Sequence, residues 1–243
     1  MTYTRGDLNL TDPDRGYVHF VLYAEPDKGA VSAINASISV EKRTPLAREW
    51  FDRLERIEPN ALHTTLVSPG DISKLFHACV YEDKDSPAAV GGSGCTCFQT
   101  FYDPEFRLPV IGNHFRTVSG NIETWTYNTY APLDLRPNDR FGSLIIDYRS
   151  SGSTDFWIRT TDGLLSFLPE QEGHGYGIGY GGGGPGALAQ YVQQLIASDG
   201  QDTAAINNRS SQVDDRISSW AYSATNARSQ ELTLPDLRRI LDC

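Results

Sequence analysis

Residues Asp155 to Leu168 read DFWIRTTDGLLSFL, two apolar runs split by Thr161-Asp162-Gly163. An Asp-Gly pair between strand-like runs marks a tight hairpin, because its tip needs positive φ, which glycine adopts without steric cost. Antiparallel pairing here sets the class of fold. Upstream, NIETWTYNTY (Asn121 to Tyr130) and FGSLIIDYRS (Phe141 to Ser150) have strand character. YVHFVLYA (Tyr17 to Ala24) and VSAINASISV (Val31 to Val40) are expected to pair across EPDKG, and LHTTLV (Leu62 to Val67) to add a strand. TPLAREWFDRLERI reads as a helix: Thr44 is its N-cap, Pro45 its first residue, and Leu46, Trp50, Phe51, Leu54 and Ile57 share one face before Glu58-Pro59 ends it. DISKLFHACVY has no clear period.

From Glu82 to Asn113 the signals are loop-like, so residues 82–113 read as a surface excursion or a subdomain boundary. A second strong helix follows the hairpin in PGALAQYVQQLIAS, with Pro185 just inside its start and Leu188, Val192, Leu195 and Ile196 as its apolar stripe. Helical character around Ile217 and Trp220, and in LPDLRRIL, closes the chain. The expectation is one α+β domain over residues 1–243, a mainly antiparallel sheet with a few packed helices and a glycine-rich loop leading into a helix in the C-terminal third.

The chain has 243 residues, 39% of them hydrophobic and 21% charged, enough to bury a core unaided. Its net charge of −10 repels phosphate backbones and anionic membranes, so neither nucleic acid nor membrane is expected as a partner. No apolar run approaches the roughly 18 residues of a membrane helix, and the opening MTYTRGDLNLTDPDRG lacks the character of a signal peptide. Four cysteines are too few and too unevenly placed for a disulfide scaffold. The expectation is a soluble, cytoplasmic protein, and the preference for arginine over lysine fits a GC-rich bacterial genome.

Nine of residues 173–186, GHGYGIGYGGGGPG, are glycine. Glycine loses more backbone freedom on folding than any other residue, so the run implies a need for bare backbone. A G-x-G-x-x-G match at Gly177 to Gly182 is nearly guaranteed in so dense a run, and the second strand and acidic residue of a dinucleotide fold do not follow it. The lysine and hydroxyl of a Walker loop are missing as well. What remains is an anion site, with consecutive amides facing one concavity and the positive end of a helix behind them. The candidate binding residues are Tyr176, Gly179, Tyr180, Gly181, Gly182, Gly183, Gly184 and Gly186, with His174 and Glu172 as candidate catalytic groups. The competing reading has the glycines allowing close packing, with the tyrosines as core.

GYGGGGPGALA, Gly179 to Ala189, resembles the GYGGxGPxxLA signature of small uncharacterised domains found in bacteria, archaea and their viruses. The resemblance covers only those residues. It implies that loop, Pro185 and helix form one unit, and it brings no activity with it. Glu170-Gln171-Glu172, with Arg149 and Ser153-Thr154 upstream, resembles the E-x-E arrangement of ADP-ribosyltransferases, although the gap from Ser153 to Glu170 is short for a chain that must return to one cleft.

His77-Ala-Cys79 and Cys95-Thr-Cys97 offer four soft or borderline ligands, but not at zinc-finger spacing. On this reading the C-x-C pair shares a metal only where a turn at Gly91, Gly92 and Gly94 bends it; a zinc-stabilised domain is a third reading that depends on this cluster, with no metal ligand assigned. A deaminase signature, a G-x-S-x-G elbow and an H-E-x-x-H helix are all absent from the sequence. The functional expectation is a small anionic, nucleotide-derived ligand at the glycine loop, with glycosidic or phosphoryl transfer or hydrolysis as its chemistry and no cofactor named. The alternative is an acidic module that binds a basic protein, as an immunity protein does, through the aromatic strands Trp125 to Tyr130 and Phe156 to Ile158.

Overall fold

The computed structural model describes residues 37–41, 43–67, 69–92, 94–149, 154–171, 175–206 and 212–242. The expected hairpin of 17–24 with 31–40 lies outside them except for β1 (Ser37–Glu41). Helix α1 (Pro45–Asp52) follows, capped by Thr44, whose hydroxyl accepts the Ala47 amide at 3.1 Å. It stops five residues before Ile57. Arg53 turns out of the helix to bond the carboxylate of Asp103 at 2.7 Å, and its guanidinium also donates to the Leu165 carbonyl. Strand β2 (Glu55–Arg56) then pairs opposite Tyr102 and Phe101. Tertiary pairing overrides the helical period here.

LHTTLV is a 3-10 turn (His63–Leu66) rather than a strand. Its buried His63 donates from Nε2 to the Phe101 carbonyl at 2.9 Å and accepts the Asn60 amide at Nδ1. A second 3-10 segment spans Pro69–Phe76. The stretch 82–113 departs from its loop-like reading: after the short β3 (Ala89–Val90) it holds the two longest strands among the described residues, β4 (Gly94–Asp103) and most of β5 (Leu108–Arg116). Cysteine, glycine and threonine at inward positions hid the alternation, and Pro109 sits inside β5 opposite Tyr102.

Strand β6 (Glu123–Tyr130) completes a first sheet of order β1-β6-β5-β4-β2, with β3 also on β4. Strands β7 (Phe141–Tyr148), β8 (Thr154–Thr160) and β9 (Leu165–Phe167) form the second. There the Asp162-Gly163 hairpin pairs Trp157 with Phe167, as its sequence predicts. Next come α2 (Gly183–Ala197), α3 (Asp215–Tyr222), β10 (Gln230–Thr233) on the free edge of β7, and α4 (Leu234–Arg239). All the ladders among the described residues are antiparallel, and the fold is α+β.

The second sheet is the middle layer. Leu144, Ile146, Phe156 and Ile158 face α2, α3 and α4, while the alternate residues Ile145 and Trp157 face α1 and the first sheet. Because both faces are covered, β7 and β8 read as nearly continuous apolar runs. Between the sheets, Trp50 and Trp157 pack with Phe101, Tyr127 and Phe167. Among the described residues no helix is long and apolar enough to cross a membrane.

Candidate functional site

The glycine tract links the middle sheet to α2. After β9, the Leu168 amide donates to Phe156 and that of Glu170 to Pro132, which carries the chain along the end of β8. Glu170 accepts the Gly175 amide at 2.8 Å, and the Tyr176 hydroxyl donates to Pro169. The Gly179 amide is taken by the Ala221 carbonyl of α3 at 2.8 Å. At Gly179, φ is +85° and a Cβ would stand 2.5 Å from that of Ala227, so glycine is required on two counts. A Cβ on Gly184 would meet the Gly177 nitrogen at 3.0 Å, which brings the tract against the first turn of α2.

The helix mouth has a different character. The N-cap, Gly182, has no side chain to offer, and the first turn holds no acidic residue. Gly181, Gly182 and Gly183 are exposed, and their amides donate to no carbonyl among the described residues. A Cβ on Gly181 or Gly183 would meet nothing within 4 Å. Tyr180 is 53% exposed, with its ring against Gly177, Gly182 and Gly184, whereas Tyr176 packs into the core beside Phe156 and Tyr191. Gly186 backs onto the Tyr222 hydroxyl. His174 and Glu172 lie outside the described residues.

A cavity of about 180 Å3 adjoins the start of the tract, lined in part by Ser39, Thr154, Asp155, Glu170, Gly175 and Tyr176. The β8–β9 hairpin is what returns the chain from Thr154 to Glu170, so the short gap between them is no obstacle to a shared cleft. Burial pushes the carboxyl of Asp155 up from the usual range, against the pull of its ion-pair partner Arg149. A larger groove of about 670 Å3 lies on the other face of α3, with Trp220, Arg228 and Leu232 in its lining. Its cations Arg216 and Arg239 are already paired with Asp214 and Asp236, and it lies apart from the tract.

The expected aromatic contact surface is turned inward in part, with Trp125 and Tyr130 half-buried. Tyr127, Phe156, Trp157 and Ile158 are buried, because these strands pack between layers rather than at an edge.

A second cluster stands at one end of the first sheet. Cys95 and Cys97 are two apart on β4, and on a strand such residues share a face, so no turn is needed to bring their thiols together. His114 of β5 is the cross-strand partner of Cys97, and Cys79 enters from the segment covering the sheet. His77 is half-buried and outside this group. The three sulfurs and the imidazole nitrogen all lie within 4.8 Å of one another: Cys79 to Cys95 is 3.7 Å, Cys97 to His114 Nδ1 3.6 Å, and Cys79 to His114 Nδ1 3.8 Å. His114 Nε2 donates to the Glu123 carboxylate at 3.0 Å, and the Trp125 ring stacks on the imidazole at 4.2 Å. Burial pushes the Cys79 thiol up to about 11 and that of Cys97 further. His114 escaped sequence reasoning because it is distant along the chain from its partners. Its signal, a histidine opposite C-x-C, exists only once the β4–β5 register is known.

Comparison with family models, with curated proteins and with solved structures gave no match.

Proposed function

We propose that this chain binds a small nucleotide-like ligand, its phosphate at the mouth of α2 and its sugar in the adjoining cavity. The observation that carries the reading is the adjacency of two unlike features. The amides of Gly181 to Gly183, which donate to no carbonyl among the described residues, lead into a 15-residue helix, and the cavity beside Gly175 and Tyr176 presents the carboxylates of Asp155 and Glu170. A helix N-terminus favours an anion, whereas carboxylates in a small cleft accept hydrogen bonds from hydroxyls. Gly177, which touches the first turn of α2, is two residues from Gly175, a reach of about 7 Å at most. That separation suits a sugar phosphate. Should the ligand turn over, the bond beside Asp155 and Glu170 is the glycosidic one.

The test is a thermal-shift panel of nucleotides, dinucleotides and phosphosugars. A ligand at about 100 times its Kd stabilises by about 2.7 kcal/mol, or roughly 5–10 °C for a chain of this size. A panel that leaves Tm unchanged at millimolar concentration overturns the reading.

The protein-binding alternative draws on the net charge of −10 and on Phe76, Tyr81, Val118 and Ile122, each more than half exposed. A co-purifying basic protein together with a flat ligand panel would favour it.

A further inference from the structure

We infer that Cys79, Cys95, Cys97 and His114 Nδ1 hold one zinc ion in closed tetrahedral coordination. With Zn–S near 2.3 Å and Zn–N near 2.0–2.1 Å, the edges of such a tetrahedron are about 3.8 Å between sulfurs and about 3.6 Å from sulfur to nitrogen. The 3.7 Å between Cys79 and Cys95, and the 3.6 and 3.8 Å from Cys97 and Cys79 to His114, match those edges. A disulfide between Cys79 and Cys95 would leave Cys97 and the aimed imidazole without a purpose.

The imidazole is set for the task. Its Nε2–H is committed to Glu123, so the lone pair at Nδ1 faces the thiols, and Trp125 fixes the plane of the ring. A carboxylate behind a ligating histidine is the usual outer partner of zinc, where it fixes the tautomer and raises ligand basicity. Thiolates with one imidazole, arranged tetrahedrally, select zinc over hard cations.

The surroundings give the ion a role. Among the described residues the local core consists of Cys79, Ala88, Cys95 and Cys97 with Val80 beside them, and this cluster includes no large apolar side chain. Four protein ligands, all buried, leave no position for a substrate, so the ion is structural and staples residues 77–88 to β4 and β5.

The experiment is metal analysis of the full chain purified without chelators, followed by titration of its thiols with a mercurial while zinc release is monitored with a chromogenic chelator. One zinc per chain is expected, released as the cluster thiols are consumed. Less than 0.1 equivalent, stoichiometric iron or copper instead of zinc, or a Cys79–Cys95 disulfide in the peptide map would each overturn the assignment. Since Cys97→Ser is at risk of not folding, Glu123→Gln supplies the second arm. It should keep the fold and weaken zinc affinity about 10–100-fold in chelator competition, while His77→Ala leaves affinity unchanged. An unaltered affinity in Glu123→Gln, or loss of zinc in His77→Ala, would reject this ligand set.

Discussion

The thiol end of the first sheet and the glycine mouth of α2 meet a shortage of ordinary side chains in opposite ways. At the thiol end the side chains are present and chemically specific, fully buried, and aimed at one point. At the mouth they are withheld, and the backbone itself is the chemical surface. Substitution should therefore read the two regions differently: at the first nearly any change costs stability, whereas at the second stability and binding separate.

The largest expected effect falls on the wall between them. Trp157→Ala removes a fully buried indole from the aromatic core and should cost about 3–5 kcal/mol in denaturant unfolding, without preference for either region. Removal of the metal is the sharper blow to the contrast. A strong chelator should lower Tm by about 10 °C or more, with amide protection lost over residues 77–88 and around β3 and retained in α2. Uniform loss of protection would mean that the two regions are one cooperative unit.

Next in size, Gly179→Ala should destabilise by about 1–3 kcal/mol, since it combines a positive φ with a clash against Ala227. Gly181→Ala, one methyl group in open space, should change stability by less than about 0.5 kcal/mol yet weaken phosphate binding by screening the amides. If Gly181→Ala binds every ligand that the parent binds, the backbone is not the recognising surface.

A smaller effect concerns pH. Burial holds His63 below its ordinary value of 6.5, so the folded chain resists a proton that the unfolded chain accepts. The stability this contributes is present above pH 6.5 and is lost as pH falls through the folded value. His63→Gln should flatten that slope in urea titrations between pH 7.5 and pH 5.5.

Much of the architecture was legible wherever local signals agree with tertiary demand. Asp162-Gly163 names its turn, Thr44-Pro45 its helix start, and the stripe from Leu188 to Leu195 its buried face. Reading failed where a long-range partner decides the outcome. Leu54 and Ile57 keep a helical period, yet Glu55 and Arg56 are claimed by β4, and β10 shows no strand signal apart from its place beside β7. Of the proposed ligand site, the bare helix mouth could be read from glycine content, but the cavity could not, since Ser39, Asp155 and Glu170 meet only through the fold. Of the metal set, the three thiols stood out in the sequence without being assigned as ligands, with His77 beside them. Its fourth member depends on pairing Cys97 with His114, a relation set by register and invisible along the chain.

The same face of β4 that carries Cys95 and Cys97 carries Phe101 into the aromatic core at its other end. Slippage of β4 by one position would expel sulfur and ring together to the outer side, and an ion that demands all four donors would then find no cradle. Coordination would thus act as a proofreader of assembly, admitting only chains in which β4 and β5 have met in correct alignment.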